Sequence, residues 1–379
     1  MRDLLITAHA PVLRSGHVLR TYGVARALAA SGDGLDLLYV GFDAPEPDAK
    51  FRAIPGIELH EVVPSRGIRR AWAYGAARLT GVPDGFARGV STELARDTAL
   101  LAAAPGRGRV VADGPIVAAA LAQLARERPV IYNAHNIESR LRSEIGGVPR
   151  SNRLRLRPHL LRRFERGLLG RSAEAWMVSE TDLAAAHELC PTATLRLVPN
   201  VVDVTAIDPV REQAPERRAI FVASFFYEPN RNGLRFLIDA VLPRVWAELP
   251  DARLTLVGAG LSDSPSLDPR VETLGFVESL SAAYRSARCA VVPLLQGSGT
   301  PLKFIEALAY GLPVIATPRA ALGLDVHDGR DCLIAEDAQA FAAGLVRVLR
   351  DGAPELGRHG RELVVERYSI EALSSLLLA

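Results

Sequence analysis

The chain has 379 residues, of which 49% are hydrophobic and 23% are charged, and its formal net charge is +2. This length suits two domains of about 150–200 residues, the composition is that of a globular protein, and the small charge argues against a dedicated nucleic-acid-binding protein. Three widely separated cysteines suggest neither a disulfide framework nor a clustered zinc site. The apolar run at the N-terminus is too short for a signal peptide or a membrane span, so we expect a cytoplasmic protein.

Short β-branched runs alternate with longer segments of helical periodicity along most of the chain, which predicts parallel sheets built from βαβ units. The first series predicts six strands, at Leu4–Thr7, Leu35–Val40, Val110–Ala112, Val130–Tyr132, Ala175–Val178 and Leu195–Val198. The second series predicts six more, at Ala219–Ala223, Leu254–Val257, Val271–Leu274, Ala290–Pro293, Val314–Thr317 and Cys332–Ile334. The proline-bearing, charged segment Pro199–Arg218 between them is interpreted as a linker. Two such α/β domains placed face to face would enclose a cleft at the carboxyl ends of their strands.

Two residues of the first half are candidates for a site in this cleft. Gly16 opens a helical segment just after the first strand and could bring backbone close to a reacting centre, although a plain turn glycine is the alternative. His135 follows a predicted strand at the cleft end, where the alternative is a capped or surface histidine. His9 is a weaker candidate of the same kind, at best a residue that lines the site.

The region Arg140–Arg171 contains ten arginines but only two acidic residues. Its helical part carries an apolar stripe that includes Leu160, Phe164 and Leu168. A solvated arginine face on a docked helix is one interpretation. Peripheral contact with an anionic membrane surface, or with a phosphorylated acceptor, is the other.

Lysine is rare in this chain: among 45 basic residues only Lys50 and Lys303 are lysines. The segment around Lys303 predicts a strand, a glycine loop, a helix and a second strand. Thr300 is expected to be the N-cap and Pro301 the first helical residue, while Gly311 ends the helix. A helix start at the end of a parallel strand presents backbone N–H groups to an anion, so we expect a phosphate there.

Lys303 falls in the first turn of this predicted helix, where the helix dipole opposes a cation unless an anion is bound. Glu306 lies three residues further on, on the same face, and could accept hydrogen bonds from sugar hydroxyls. The alternative is that Lys303 and Glu306 form an ordinary i,i+3 ion pair.

Six stretches of the chain, taken together, resemble the family 4 glycosyltransferases, which are retaining enzymes of the GT-B fold. The resemblance is carried by Asn133–Ser139, Val178–Asp182, Val198–Asp203, Phe221–Gly233, Gly275–Val277 and Gly297–Ala307, in this order. It implies two Rossmann-like parallel-sheet domains facing across a cleft, an acceptor-side domain at residues 1–205 and a nucleotide-sugar domain at 206–366. It also implies that residues 367–379 form a helix that packs back on the first domain. The substrates would be a nucleoside-diphosphate sugar and an acceptor hydroxyl, without a cofactor.

The resemblance further assigns roles to particular residues. Lys303 and the backbone of the loop before it would hold the donor diphosphate, Glu306 the ribose, and His135 would face the transferred sugar or the acceptor. The loop consists of Gly297, Ser298, Gly299 and Thr300, and the residues flanking the base would be Phe276 and Val277.

Two positions depart from the family pattern. Ser298 stands where the first of two glutamates is usual. Only Arg231 offers a charge where the family has a cationic pair after the first strand of the second domain. We predict Arg231 to be the second phosphate ligand, with a solvated loop arginine as the alternative.

The sequence contains no Asp-x-Asp, the usual carboxylate pair for a divalent ion on a nucleotide sugar, which predicts metal-independent transfer. Leaving-group charge would then be stabilised by Lys303, Arg231 and the helix start. Two alternatives stay open from sequence. One is a sugar-nucleotide epimerase or hydrolase on the same fold, and the other is a non-catalytic nucleotide-sugar-binding partner subunit.

Overall fold

The computed structural model describes residues 1–13, 15–41, 46–87, 89–145, 158–212, 214–261, 268–297 and 299–378. The chain divides into two compact units. The first comprises Met1–Asn200 and Leu373–Ala379, and the second comprises Val201–Ala372.

The first unit contains a parallel sheet of seven strands in the order β3-β2-β1-β4-β5-β6-β7. The strands are β1 Arg2–Thr7, β2 Leu35–Val40, β3 Ile57–Val62, β4 Arg107–Asp113, β5 Ile131–Asn133, β6 Glu174–Met177 and β7 Leu195–Leu197. Six of them confirm the prediction, but β3 was missed. Strand β3 lies at the edge of the sheet and is largely half-exposed, so it lacks the continuous apolar run by which the buried strands are found.

Ten helices connect and cover these strands within the described part of the first unit. They are α1 Gly16–Ser31, α2 Ala49–Arg52, α3 Ile68–Leu79, α4 Asp84–Ala87, α5 Thr92–Ala102, α6 Pro115–Ala120, α7 Leu124–Glu127, α8 Glu138–Ile145, α9 Pro158–Arg171 and α10 Glu180–Leu189. Serine side chains cap α1, α5 and α10 by accepting a hydrogen bond from the third residue after them. The helix predicted after the first strand therefore begins at Gly16 itself.

The apolar stripe predicted in the Arg140–Arg171 region is mostly core. Leu161, Phe164, Leu168 and Leu169 of α9 are buried in the cluster that covers β5 and β6. The arginines of the same helix are exposed, as expected for a solvated arginine face on a docked helix. Residues 146–157 of the predicted region lie outside the described residues.

The second unit repeats the architecture with six parallel strands in the order β10-β9-β8-β11-β12-β13. The strands are β8 Arg218–Val222, β9 Arg253–Val257, β10 Val271–Gly275, β11 Cys289–Val292, β12 Val314–Ala316 and β13 Leu333–Ile334. All six predicted strands are confirmed. This is the 3-2-1-4-5-6 order of a doubly wound nucleotide-binding sheet, and both units are therefore Rossmann-like.

The helices that follow β8 in the chain are α11 Glu228–Phe236, α12 Leu242–Glu248, α13 Ser281–Arg285, α14 Leu302–Ala309, α15 Pro318–Ala321, α16 Ala338–Asp351, α17 Pro354–Arg367 and α18 Ile370–Leu378. A 3-10 turn at Val204–Ala206 and a π-helical turn at Leu237–Val241 complete the set of described helical elements. The last residues of α18 belong to the first unit, where Arg109 donates to the carbonyl of Leu377 at 2.9 Å and Arg196 to that of Leu376 at 3.4 Å.

The segment interpreted as a linker packs on the second unit. Val202 N donates to the Tyr368 carbonyl at 2.9 Å and Val210 N to the Tyr310 carbonyl at 2.8 Å. Arg288 donates to the carbonyls of Ala214 and Pro215. A segment without helical or strand periodicity is thus fixed by backbone hydrogen bonds that its composition does not reveal.

Among the described residues, no helix has both the length and the apolar character needed to cross a membrane.

Candidate functional site

The second sheet has its topological switch point between β8 and β11, where successive connections leave in opposite directions. Residues 223–227 follow β8, residues 293–300 follow β11, and helix α14 begins just beyond them. Ligands of doubly wound sheets bind at this place. The sequence-predicted donor residues of the second unit therefore lie where the fold expects a ligand.

Lys303 lies in the first turn of α14, as predicted, but the helix begins one residue later than expected. Pro301 has an extended backbone, with ψ of 112°, and is the N-cap without a side-chain cap. Thr300, predicted to be the cap, is a buried loop residue instead. The proline ring fixes φ but leaves ψ open, and the loop here requires an extended value.

Lys303 is held by a residue that we did not predict. Its Nζ donates to Asn230 Oδ1 at 2.5 Å and lies 5.3 Å from the centre of the Phe221 ring. Asn230 is buried near the start of α11, and its Nδ2 donates to the Ser224 carbonyl at 2.7 Å. Because that carbonyl can only accept, the amide must turn its oxygen toward the ammonium group.

Burial lowers the pKa of the Lys303 ammonium group to about 7. The residue as a whole stays partly exposed, so it is the ammonium end that is desolvated. An anion bound next to it would stabilise the charged form and raise this pKa. The site therefore holds a cation whose charge depends on whether an anion is present.

Glycines allow the loops at the switch point to approach one another. A Cβ atom at Gly258, which follows β9, would lie 1.8 Å from the Ala223 carbonyl oxygen. Gly297 and Gly299, in the loop before α14, have φ of 121° and 73°, values that favour glycine. Ser298 between them lies outside the described residues.

Glu306 lies on the second turn of α14, and its Oε2 accepts a hydrogen bond from the Tyr284 hydroxyl at 3.3 Å. Tyr284 stacks on Tyr310 with ring centres 4.4 Å apart. Lys303 and Glu306 thus each have a partner outside α14, which are Asn230 and Tyr284 respectively.

The remaining predicted donor residues lie around the same edge. Arg231 is exposed in the first turn of α11, and its Nη1 donates to the carbonyls of Phe225 and Phe226 at 3.2 and 3.1 Å. Phe276 follows β10 and is 60% exposed. Val277 packs against the core of the second unit. An exposed aromatic ring beside a fixed backbone turn is a suitable surface for stacking a base.

The first unit carries a second polar cluster, at the carboxyl ends of β4 and β5. His135 lies two residues beyond β5 and is buried, and its Nε2 is 2.7 Å from Asp113 Oδ1. Asp113 ends β4 and also accepts from Thr21 at 2.6 Å and from Asn133 at 2.7 Å. Burial alone would raise the pKa of this carboxyl group, but His135, Thr21 and Arg20 outweigh it and hold the pKa well below its usual range. Asp113 is therefore an anion.

Arg20 is hydrogen bonded to this cluster. Its guanidinium group donates to the Val198 carbonyl, to Asn200 Oδ1 and to Asn133 Oδ1, at 3.0, 3.2 and 2.6 Å. Burial lowers the pKa of Arg20 to about 10, which leaves it charged at pH 7. The network fixes Asn133, which in turn orients the carboxylate of Asp113.

His17 links the buried cluster to solvent. Its Nδ1 is 3.2 Å from His135 Nδ1, with the two rings at 88°, and the His9 ring lies 5.9 Å from its own. Desolvation of the His17 ring, together with repulsion from His135 and His9, lowers the pKa of His17 to about 4. The Asp113 carboxylate requires a proton on His135 Nε2, because a carboxylate can only accept. The low pKa of His17 leaves its ring neutral at pH 7, so one of its ring nitrogens donates and the other accepts.

The sequence-based search missed Asp113, His17, Arg20 and Asn230. Asp113 could have been found by asking which polar residues end predicted strands at a switch point, and His17 by its position next to Gly16. Arg20 does not stand out in a sequence with so many arginines. Asn230 contacts Lys303 although 73 residues separate them in the sequence, so no local pattern links the two. Gly16 itself is exposed at the start of α1.

One group of possible metal ligands occurs among the described residues. Ligand atoms of Asp36, Glu58 and His60 lie within 4.8 Å of one another in β2 and β3. However, Asp36 already pairs with Arg107 at 2.5 Å and with Arg2 at 3.1 Å. The arginines neutralise this carboxylate, so the group is better described as an ion-pair network.

Two parallel-sheet α/β units with these strand orders define the class of fold, which is that of the GT-B glycosyltransferases. Residues 216–351, which include the Lys303 site, match the model of the family described as Glycosyl transferases group 1.

Several proteins with similar sequences carry the name phosphatidyl-myo-inositol mannosyltransferase. The protein from Mycolicibacterium smegmatis is 26% identical over 272 residues, which cover 68% of this chain and 66% of the relative. The protein from Mycobacterium leprae is 31% identical over 165 residues, 41% of this chain and 44% of the relative. The match thus spans just under two thirds of the first relative and less than half of the second.

Solved structures match over almost the whole chain. Sucrose-phosphate synthase from Thermosynechococcus elongatus has a TM-score of 0.74 at 20% identity, covering 99% of this chain and 97% of its own. Anabaena HepE, in complex with UDP and glucose, has a TM-score of 0.66 at 13% identity and coverages of 100% and 98%. WaaG, a glycosyltransferase of lipopolysaccharide biosynthesis, has a TM-score of 0.66 at 14% identity and coverages of 99% and 98%. At these identities the similarity establishes the fold.

Proposed function

We propose that this protein is a glycosyltransferase that moves a sugar from a nucleoside-diphosphate sugar to an acceptor hydroxyl, with retention of anomeric configuration and without a metal ion. The observation that carries the proposal is the Lys303 site. A partly desolvated ammonium group lies at a helix start beyond the switch point, inside the segment that matches the group 1 glycosyl transferases. Loss of the sugar leaves a diphosphate with developing charge, and a fixed cation there stabilises the transition state.

The donor is assigned to the second unit. The backbone of Gly297–Thr300 and Lys303 hold the diphosphate, and Arg231 is the second phosphate ligand. Glu306 accepts hydrogen bonds from the ribose hydroxyls, and Phe276 with Val277 flanks the base. The exposure of Phe276 and the carboxylate of Glu306 beside Tyr284 support these assignments.

In the proposed reaction, the bond between the anomeric carbon and the phosphate oxygen breaks, and a bond forms between that carbon and the acceptor oxygen. The acceptor proton passes to the departing phosphate oxygen. Lys303, Arg231 and the helix start take the electrostatic role that a divalent ion has in other transferases.

The first unit is assigned to the acceptor side. Gly16 opens α1 directly before His17, and His135 is oriented by Asp113 at 2.7 Å. A ring held in one tautomer can hydrogen bond to a sugar or acceptor hydroxyl with little loss of conformational freedom. Membrane contact through Arg140–Arg171 stays a separate prediction, since most of the apolar residues of α9 are buried but Leu160 is 46% exposed.

The similar proteins suggest where to look for substrates. The names of the mycobacterial relatives specify mannosyl transfer to phosphatidyl-myo-inositol, and HepE holds UDP and glucose. Mannose- and glucose-bearing nucleoside diphosphates, with a phosphatidyl-inositol acceptor, are therefore the first combinations to assay.

The test is a panel of nucleotide sugars incubated with and without acceptor, with nucleoside diphosphate release and product linkage measured by NMR. We expect acceptor-dependent release and a product with the anomeric configuration of the donor. Sugar release or epimerisation of equal rate without acceptor would show a hydrolase or epimerase. Nucleotide-sugar binding without turnover of any acceptor would show a binding subunit.

A further inference from the structure

Both ring nitrogens of His135 already have partners inside the first unit. Its Nε2 lies 2.7 Å from Asp113 Oδ1 and its Nδ1 lies 3.2 Å from His17 Nδ1, and both distances are those of hydrogen bonds. The His135 side chain is buried, and Gly114 lies against its ring, since a Cβ atom on that glycine would be 3.6 Å from His135 Cε1. While these contacts hold, the His135 ring has no nitrogen left with which to bind a substrate.

His17 is the outermost side chain in the series Asp113, His135, His17. It lies in the first turn of α1 and is exposed. Its Nδ1 faces His135, whereas its Nε2 has no hydrogen-bond partner among the residues that the structure describes. The His17 Nε2 atom is thus an open polar group at the carboxyl end of the first sheet, where ligands of parallel sheets bind.

The surrounding contacts hold the His17 ring in one orientation. His17, Arg20 and Thr21 have the spacing i, i+3 and i+4, which places them on one face of α1. Thr21 donates to Asp113 and Arg20 to Asn133, each at 2.6 Å, so this face is fixed on the ends of β4 and β5. The rings of two other histidines lie edge-on to that of His17, at interplanar angles of 89° and 88°. A ligand that binds to Nε2 therefore immobilises little further side-chain freedom.

The ligand that suits this atom is a hydroxyl group. Desolvation, with repulsion from the neighbouring histidines, lowers the pKa of His17 to about 4, so the ring is neutral at pH 7. If Nδ1 donates to His135, Nε2 accepts, and if Nδ1 accepts, Nε2 donates. A hydroxyl can serve as partner in either case, whereas a carboxylate can only accept and an ammonium group can only donate.

We propose that His17 is an acceptor-binding residue, whose Nε2 forms a hydrogen bond with a hydroxyl of the acceptor while His135 and Asp113 hold its ring in place. The inference deepens the proposed function and rests on it, because it names the side chain that holds the acceptor. His135 and Asp113 then act on the acceptor through His17 as positioning residues. The acceptor proton still passes to the departing phosphate oxygen, since a ring of such low basicity is a poor general base.

The test uses the full chain, a nucleotide sugar and phosphatidyl-inositol, or in its place whichever acceptor the parent glycosylates in the nucleotide-sugar panel. His17→Ala should raise the KM for the acceptor by about five- to tenfold, which corresponds to one hydrogen bond. The kcat should stay within about twofold, because the contact is made in both the ground state and the transition state. The melting temperature and the affinity for nucleoside diphosphate should equal those of the parent. His187→Ala, at an exposed position of α10, is the matched control and should leave the kinetics unchanged.

Two further substitutions separate contact with the acceptor from support of His135. The amide of asparagine reaches about as far as histidine Nδ1, and that of glutamine about as far as Nε2. His17→Asn can therefore keep the hydrogen bond to His135 but not one to the acceptor, and it should have the raised acceptor KM of His17→Ala. His17→Gln can reach the acceptor and should bring the KM back to within about threefold of the parent value.

Each contrary result has a distinct meaning. An unchanged acceptor KM in His17→Ala would overturn the proposal. A parent-like acceptor KM in His17→Asn would overturn it too, because His17 would then only support His135. Both results leave the glycosyltransferase assignment intact. Absence of transfer by the parent to every acceptor would overturn the proposed function and this inference together, since there would be no acceptor for His17 to hold.

Discussion

Nucleoside-diphosphate binding should depend on pH through Lys303. In the unliganded protein the pKa of Lys303 is lowered to about 7 by burial, so the side chain loses its proton as the pH rises above 7. A bound diphosphate favours the ammonium form and raises this pKa, so binding above pH 7 must take up a proton. Affinity should therefore fall with rising pH.

The size of the effect follows from the pKa. If the liganded pKa lies well above 9, the dissociation constant should rise about 50-fold between pH 7 and pH 9, or about 2.3 kcal/mol. At pH 8 about 0.9 proton should be taken up per bound nucleotide. The diphosphate itself changes its charge little in this range, because its last pKa is about 6 and it is already about 90% ionised at pH 7.

The assay is isothermal titration calorimetry at pH 7, 8 and 9 in pairs of buffers with different ionisation enthalpies. Lys303→Met should bind weakly with no proton uptake, and Lys303→Arg should lose the pH dependence because guanidinium does not titrate here. Lys50→Met replaces the only other lysine, which is exposed in α2, and should behave as the parent. Lys303→Met should not lower the melting temperature, since it removes a desolvated charge. Affinity independent of pH in the parent, or the same slope in Lys303→Met, would refute the reasoning.

Three further predictions concern the rest of the site. Glu306→Gln should raise the donor KM more than it lowers kcat, because ribose contacts are similar in ground and transition states; an unchanged KM in steady-state kinetics would remove the ribose assignment. Asp113→Asn should lower kcat by about 100-fold or more, with a smaller change in KM, because the amide no longer fixes the tautomer of His135; kinetics like those of the exposed control Asp251→Asn would contradict this. Activity should survive EDTA, and complete loss that only a divalent ion restores would contradict the metal-independent mechanism.

The secondary structure of the segment from β11 to β12 was largely predictable because the segment is contiguous. A strand, a glycine loop and a helix within about thirty residues bring the loop backbone and the first helical turn to the carboxyl edge of the sheet, independently of the other βα units. Lys303 accordingly lies where its sequence neighbours predict it. Asn230, which orients its ammonium group, comes from another βα unit, and no local pattern relates the two residues.

Helix α3 shows a different limit of prediction from sequence. Its sequence has large apolar residues on one side and alanines on another, and the usual expectation is that the large residues are buried. The structure buries Ala73 and Ala77 and exposes Trp72. Periodicity identifies the faces of a helix, but only tertiary contacts decide which of them meets the core.

Two cations with desolvated charged ends, Arg20 and Lys303, show why a lysine occurs in an arginine-rich protein. Arg20 donates to three oxygen acceptors and lies near the charged Asp113, so a permanent charge is compensated there. Lys303 contacts a neutral amide and an aromatic ring, and its pKa of about 7 lets it give up its proton while no anion is bound. An arginine at this position would stay charged in the vacant site and would carry the full cost of desolvation. A group that is neutral or charged according to occupancy must be able to titrate, which lysine can do here and arginine cannot. We therefore expect Lys303→Arg to impair the unliganded protein as well as donor binding, measured as a lower melting temperature without nucleotide.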